Sequence, residues 1–167
     1  MTVVVADSCV VDTGVFVRWF VDQEGFEHAR ELQADLVTET TTVATIDFAR
    51  VEVAGVLRKK GLLPKLLTED EFAAAVRVID DLGVTVHETD ADRLERAARL
   101  AATKMLRMYD ALFVGLAQEL DLPLLTSDVK LKNAAADIID IEVLRGVGGR
   151  RAAADALSAE TNDLGLA

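Results

Sequence analysis

The sequence predicts an α/β protein, a three-layer α/β/α arrangement in which helices cover both faces of a central, mostly parallel sheet. Short apolar runs rich in Val, Leu and Ile alternate with longer helical patterns along the chain, and this alternation is typical of parallel sheets. The 167 residues are 51% apolar but only 5% aromatic, so the core must consist mainly of aliphatic side chains. The apolar fraction excludes global disorder, and the length suits one domain with or without a tail.

The first half of the chain predicts one strand and four helices. Residues 3–12 are rich in Val and predict a strand that is buried on both faces. The helical patterns cover residues 15–21, 27–36, 46–60 and 72–82. The third helix ends in a basic turn followed by Gly61, which is a typical helix end. The sequence Thr-Glu-Asp-Glu before the fourth is a typical helix start.

The second half predicts three strands and three helices in alternation. The strands cover residues 84–86, 123–126 and 138–144, and the helices cover 90–105, 109–120 and 129–136. Three glycines between residues 146 and 149 interrupt this pattern. We therefore expect a domain over residues 1–147, followed by a Gly/Ala-rich C-terminal tail over residues 148–167 that is either helical or disordered.

Charge and cysteine content limit the class of protein. The chain has 29 Asp and Glu against 18 Lys and Arg, a net charge of −11, which argues against holding nucleic acid by bulk positive charge. The single cysteine, Cys9, excludes an intrachain disulfide and fits a reducing cytoplasm. The N-terminal residues lack the basic segment of a signal peptide, and no apolar stretch approaches the roughly 20 residues of a membrane span. We expect a cytoplasmic protein that does not enter membranes.

Four acidic residues lie where an unpaired carboxylate is costly. Asp12 and Asp128 follow predicted strands, at the edge where parallel α/β sheets bind ligands. Glu52 and Asp110 have apolar or small residues three and four positions away, so they face the protein rather than water. A carboxylate in that position requires a cation. Oxygen-only ligands favour Mg²⁺ or Mn²⁺, and the two histidines are too far apart in sequence to suggest zinc.

Each of these acids also has an ordinary structural explanation. Asp12 and Asp128 can cap the helices that follow them. Asp110 can stabilise the start of its helix through the helix dipole, and Glu52 can bend to the surface. Taken singly, these explanations suffice, whereas the four acids together favour a shared divalent cation.

The sequence resembles PIN-domain proteins, and in particular VapC-type toxin ribonucleases of type II toxin–antitoxin systems. Four segments carry the resemblance: VVDTGVFVRWF at residues 10–20, RVEVAGVLR at 50–58, YDALF at 109–113 and LLTSD at 124–128. Their order and spacing match the family across residues 10–144. No single segment is decisive, but the ordered set of four is specific.

The resemblance implies a PIN-like nuclease domain whose catalytic residues are also its metal ligands. These residues are Asp12, Glu52, Asp110 and Asp128, with Thr13 and Thr126 in support. Thr126 is expected to orient the site through its hydroxyl. The resemblance further implies one or two Mg²⁺ or Mn²⁺ ions, single-stranded or loop RNA as substrate, a small antitoxin protein as partner, and a homodimer.

Two features of the first motif leave questions open. The family usually has Ser or Asn two residues after the first Asp, where this chain has Gly14. One hydroxyl or amide near the metal is thereby absent, although no ligand is lost. Asp7 begins a similar segment, so either Asp7 or Asp12 is the first ligand. Asp12 is preferred, because the residues after it then fall where the family has its first helix and turn.

The predicted function is a Mg²⁺- or Mn²⁺-dependent endoribonuclease that acts as the toxin of a toxin–antitoxin pair. One alternative is a PIN scaffold that binds RNA or protein without cutting it. Another is a Mg²⁺-dependent phosphohydrolase or a receiver-like domain, both of which use a strand-end Asp. The receiver needs a Lys at a late strand end, where this chain has Asp128.

The residues that bind RNA are not identified by the motifs. Basic residues at two helix ends are candidates for phosphate contacts, although a solvated helix-end charge is the better explanation of each: Arg58, Lys59, Lys60, Lys130 and Lys132. Acids outnumber bases even when the four proposed ligands are set aside. We therefore expect RNA recognition through metal-bridged phosphates and a few local cations in a narrow groove, with selectivity for one folded RNA.

Overall fold

Five short parallel strands form the central sheet of the computed structural model, which describes residues 8–148. The strands are β1 (Ser8–Val11), β2 (Thr42–Ile46), β3 (Thr85–His87), β4 (Leu124–Thr126) and β5 (Ile141–Val143). Their order is β3-β2-β1-β4-β5, and all four neighbouring pairs are parallel. The predicted α/β class is confirmed.

Eight α-helices connect and cover these strands in the described part of the chain. They are α1 (Thr13–Val17), α2 (Phe26–Val37), α3 (Phe48–Leu57), α4 (Glu69–Ala75), α5 (Val78–Asp81), α6 (Ala91–Lys104), α7 (Met108–Leu120) and α8 (Val129–Ala135). A π-helical turn, Arg58–Leu62, extends α3. None of the helices within residues 8–148 has the length and apolar character that crossing a bilayer requires.

The two faces of the sheet bury separate aliphatic cores, because side chains alternate across each strand. Val11 and Leu125 face a core that helices α1 to α5 complete. Val10 and Leu124 face the other core, which α7 and α8 cover, and α6 packs against α7. The apolar helix after β1 is part of the first core, where Phe16 is fully buried.

Strand β2 is absent from the prediction, and Ile46 ends this strand instead of starting a helix. The segment is rich in Thr, which resembles a polar loop, yet β-branched Thr side chains suit a strand. Thr45 is fully buried. Its hydroxyl donates to the Val11 carbonyl oxygen at 2.9 Å, so burial does not leave this polar group without a hydrogen bond. The wrong assignment arose because this hydroxyl is satisfied by a neighbouring strand, which the local sequence does not reveal.

Several predicted boundaries also differ from the structure. The first helix ends at Val17 rather than at residue 21. The predicted helix 72–82 is divided into α4 and α5, where Arg77 N donates to the Ala74 carbonyl and tightens the turn. The last strand is shorter than 138–144, since Ile138 N bonds back to Ala135 O at the end of α8. Residues 1–7 and most of the predicted tail, 149–167, lie outside the described residues.

Candidate functional site

Strands β1 and β4 bring two of the predicted acids together at the carboxyl edge of the sheet. Val11 pairs with Leu125 in the parallel register, so the residues that follow these two lie side by side. The buried Thr126 hydroxyl donates to Asp12 Oδ2 at 2.5 Å and accepts the backbone N–H of Asp128 at 3.0 Å. Thr126 therefore links Asp12 to the start of the segment that carries Asp128.

Both strand-end acids also cap helices, as their ordinary structural explanation requires. Asp12 Oδ1 accepts the Val15 backbone N–H at a long 3.4 Å. Asp128 Oδ1 accepts the backbone N–H groups of Lys130 and Leu131 at 2.9 and 3.3 Å. Capping uses only Oδ1 of each carboxylate, so it does not exclude a metal ion bound at either residue.

The other two acids come from helices that flank the same edge. Asp110 lies in the first turn of α7, where its Oδ2 accepts the Arg107 Nε–H at 3.0 Å. Arg107 precedes Asp110 by three residues, a spacing that lets the two side chains meet. Glu52 is half-buried on α3 and has no hydrogen-bond or ion-pair partner within residues 8–148.

All four predicted acids line one cleft of about 460 Å³, together with Thr13, Gly14 and Ser127. Thr126 lies behind the cleft wall. Three cations also line the cleft, Arg18, Lys60 and Arg107. Lys60 was among the candidates for phosphate contact, whereas Arg18 was missed. Its position one helical turn after Gly14, within the first motif, is the sequence signal that could have found it.

The electrostatics of the cleft favour a bound cation. The pKa of Asp12 is raised to about 6, chiefly by burial and to a smaller extent by the neighbouring Asp110 charge, while hydrogen bonds from Thr126 and Val15 and the charge of Arg18 act in the opposite direction. The bond to Asp110 raises the pKa of Arg107, and the charges of Asp128 and Glu52 add to this. The acids thus act on one another and on the guanidinium groups of Arg107 and Arg18 within the cleft.

The residues present fit a hard divalent ion in their chemistry. All the available donors are oxygens, the set that Mg²⁺ and Mn²⁺ prefer. The buried Thr13 Oγ1 has no hydrogen-bond partner in the described part of the chain and lines the cleft. No three Asp, Glu, His or Cys side chains within residues 8–148 form a closed ligand set. The fit is therefore to an ion that keeps several water ligands, as Mg²⁺ usually does.

The structure also bears on the two open features of the first motif. A Cβ at Gly14 would overlap Ser127 Oγ and lie 3.3 Å from Arg18 Nη1, so the glycine permits a close approach of both side chains. Asp12 lies in the cleft, whereas Asp7 lies outside the described residues.

The chain is thus an α/β protein with an acid-lined cleft at the carboxyl edge of a five-stranded parallel sheet. The negative charge of this cleft attracts cations and repels anions. The strand order differs from the 2-1-3-4-5 order of receiver-like domains, so that alternative is wrong for the fold. The sequence model of the PIN domain matches residues 9–137, and the chain belongs to the PIN domain family. No curated protein matches the chain closely enough to count as a relative.

Solved structures that resemble the chain include a toxin and a toxin–antitoxin complex. Mycobacterium tuberculosis VapC20, titled a sarcin-ricin loop cleaving toxin, matches with a TM-score of 0.62 at 16% identity, covering 80% of this chain and 98% of that chain. VapBC2 from Rickettsia felis, bound to a DNA fragment from their promoter, has a TM-score of 0.59 at 13% identity, with 81% and 98% covered. A toxin–antitoxin complex from Klebsiella pneumoniae has a TM-score of 0.56 at 19% identity, with 80% and 95% covered. At these identities the likeness concerns the fold.

Proposed function

We propose that this protein is a Mg²⁺- or Mn²⁺-dependent endoribonuclease. The observation that carries the proposal is that Asp12, Glu52, Asp110 and Asp128 line one cleft in a chain of the PIN domain family. Repelling carboxylates from four separate segments have little reason to share a cleft unless a divalent cation neutralises them. We propose that the cleft binds one or two such ions.

A bound ion would activate water and offset the negative charge that develops at phosphorus during hydrolysis. The chain's own residues prepare the cleft for this. Thr126 holds Asp12 through its hydroxyl and also binds the backbone N–H of Asp128. Glu52 has an uncommitted carboxylate, and Thr13 contributes a free hydroxyl. Arg107 restrains Asp110 and reduces the net repulsion between the cleft and a phosphodiester.

We further propose RNA as the substrate and a small antitoxin protein as the partner. Among the proteins of similar fold, VapC20 is named for cleaving an RNA loop, and another structure is a toxin–antitoxin complex. Loops present unpaired bases that a protein can read, which suits a narrow cleft in an acidic protein. A homodimer, which the family resemblance implies, and a cytoplasmic location, which the single cysteine favours, belong to the same proposal.

The test is cleavage of RNA by the purified protein. A pool of cellular RNA is incubated with Mg²⁺ or Mn²⁺, or with EDTA, and new 5′ ends are mapped by sequencing. We expect cuts at few sites with metal, none with EDTA and none with Asp12→Asn or Asp110→Asn. Asp35→Asn is the matched control, because Asp35 is exposed on α2 and lies outside the cleft. Full metal-dependent cleavage by both cleft variants would contradict the proposal.

One observation favours the alternative of a PIN scaffold that binds without cutting. The described residues form no closed set of three metal-ligating side chains. This alternative predicts that the protein binds RNA or a protein partner while the RNA pool stays intact with either metal. The cleavage assay together with an RNA-binding measurement separates the two functions.

A further inference from the structure

Arg18 is held in the acid cleft by backbone carbonyl groups. Its Nη1 donates to Gly14 O at 2.8 Å, and its Nε donates to Glu24 O at 2.7 Å. The two acceptors lie on opposite sides of Arg18 in sequence, within α1 and in the loop before α2. The guanidinium is thereby fixed in orientation while it lines the cleft.

The charge of Arg18 is not neutralised by a carboxylate in contact. Arg107, another cation of the cleft, forms an ion pair with Asp110 at 3.0 Å. Lys60, the third, is exposed on the π-helical turn. Arg18 is half-buried and takes part in no ion pair within residues 8–148. A partly desolvated guanidinium with unused N–H donors favours an anionic oxygen as ligand.

The missing side chain at position 14 creates the space beside this guanidinium. A Cβ on Gly14 would overlap Ser127 Oγ and crowd Arg18 Nη1. With glycine, the Ser127 hydroxyl and the guanidinium both approach the Gly14 backbone. Ser127 Oγ has no hydrogen-bond partner in the described part of the chain and lines the cleft. A cation and a free hydroxyl, which both donate hydrogen bonds, therefore meet next to the acids.

We propose that Arg18, together with the Ser127 hydroxyl, binds a non-bridging phosphate oxygen of the RNA strand in the cleft. This inference rests on the proposed ribonuclease function and identifies how the site holds its substrate. The acids of the cleft repel a phosphodiester, so a fixed and unpaired cation is needed to retain one. Planar guanidinium groups suit this task, because they present several donors in one plane.

The test measures binding of a fluorescein-labelled single-stranded RNA of 20 random nucleotides by anisotropy. EDTA prevents cleavage, and the NaCl concentration is varied. The association constant K falls as the salt concentration rises, and loss of one phosphate contact makes the slope of log K against log salt less steep by about 0.7 for a single strand. For Arg18→Gln we expect this less steep slope and about tenfold weaker binding of the RNA. Arg18→Lys should keep most of the slope, and Ser127→Ala should weaken binding without changing the slope.

Arg96→Gln is the matched control, because it also removes one positive charge but lies on α6, where Arg96 pairs with Glu119. Equal slopes for wild type, Arg18→Gln and Arg96→Gln would overturn the inference.

A second measurement uses the wild-type protein, so that misfolding of a variant does not decide the outcome. Arginine Nε–H resonances are followed by NMR while the same RNA is added in EDTA. We expect the Arg18 resonance to shift and the Arg96 resonance to stay unchanged. An unshifted Arg18 resonance on a protein saturated with RNA would contradict the inference.

If the wild type binds RNA through Arg18 but cuts none with metal, the proposed ribonuclease function fails while the phosphate contact stands. If the wild type cuts RNA while the Arg18 resonance does not shift and Arg18→Gln keeps the wild-type salt slope, only the proposed phosphate contact fails.

Discussion

Asp12→Asn should stabilise the metal-free protein at neutral pH, although it removes a proposed ligand. Asp12 is only 8% exposed, and burial raises its pKa from 3.8 to about 6. Between these values the folded state binds the proton more tightly than the unfolded chain does. The stability of the metal-free protein therefore falls as the pH rises through this window. Asn has no charge to desolvate and is an equally good helix cap.

The magnitude follows from the difference between the two pKa values. The difference between 3.8 and about 6 corresponds to about 3 kcal/mol of destabilisation at pH 7.5, where both states are ionised. At pH 5 most of the folded protein still holds the proton, and the same linkage relation leaves about half of this destabilisation. The stability of Asp12→Asn relative to wild type should therefore rise by roughly 1 kcal/mol between pH 5 and pH 7.5. Changes in the hydrogen bond from Thr126 enter at both pH values and largely cancel in this comparison.

The assay is urea unfolding of both proteins in EDTA at pH 5 and pH 7.5. Asp35→Asn serves as control, because Asp35 is exposed on α2 and lies outside the cleft. Adding Mg²⁺ or Mn²⁺ at pH 7.5 should stabilise the wild type and leave Asp12→Asn almost unchanged, since ligands stabilise the state that binds them. A pH-independent difference between wild type and Asp12→Asn would refute the reasoning.

Three further perturbations test the site and the core. Asp110→Asn should abolish RNA cleavage in a gel assay while the thermal midpoint changes little, because its partner Arg107 is 77% exposed and surface pairs contribute about 1 kcal/mol or less. Gly14→Ala should cost about 1 kcal/mol in urea unfolding, since the added Cβ overlaps Ser127 Oγ. Ser127→Ala should relieve most of that cost in a double-mutant cycle, and independent effects would argue against the close packing. Phe16→Ala should cost about 3–5 kcal/mol in the same assay, because Phe16 is fully buried; a cost below about 1 kcal/mol would contradict its place in the core.

The sheet could be predicted where the strands are apolar and not where hydroxyls replace methyl groups. Val10, Val11, Leu124 and Leu125 are buried from both faces, and such continuous apolar runs identify parallel strands. Strand β2 depends on Thr45, whose hydroxyl is satisfied by β1. A contact between segments 34 residues apart leaves no local pattern, so the strand was missed.

The acids of the cleft could be predicted because strand ends and helical spacing place them. Asp12 and Asp128 follow strands, and the apolar neighbours of Glu52 and Asp110 turn both helices toward the sheet. The role of Arg18 could not be predicted in the same way. Its position depends on carbonyl acceptors in two elements and on the space that a glycine leaves, and both require the folded backbone.

Binding of Mn²⁺ to the purified protein at pH 7.5 tests most directly whether the acid cleft is a metal centre. Free and bound Mn²⁺ are distinguished by electron paramagnetic resonance during a titration of wild type, Asp12→Asn and Asp35→Asn. We predict that wild type and Asp35→Asn bind the same one or two ions, and that Asp12→Asn loses this binding while remaining folded. Equal binding by all three proteins, or no binding by the wild type, would contradict the account.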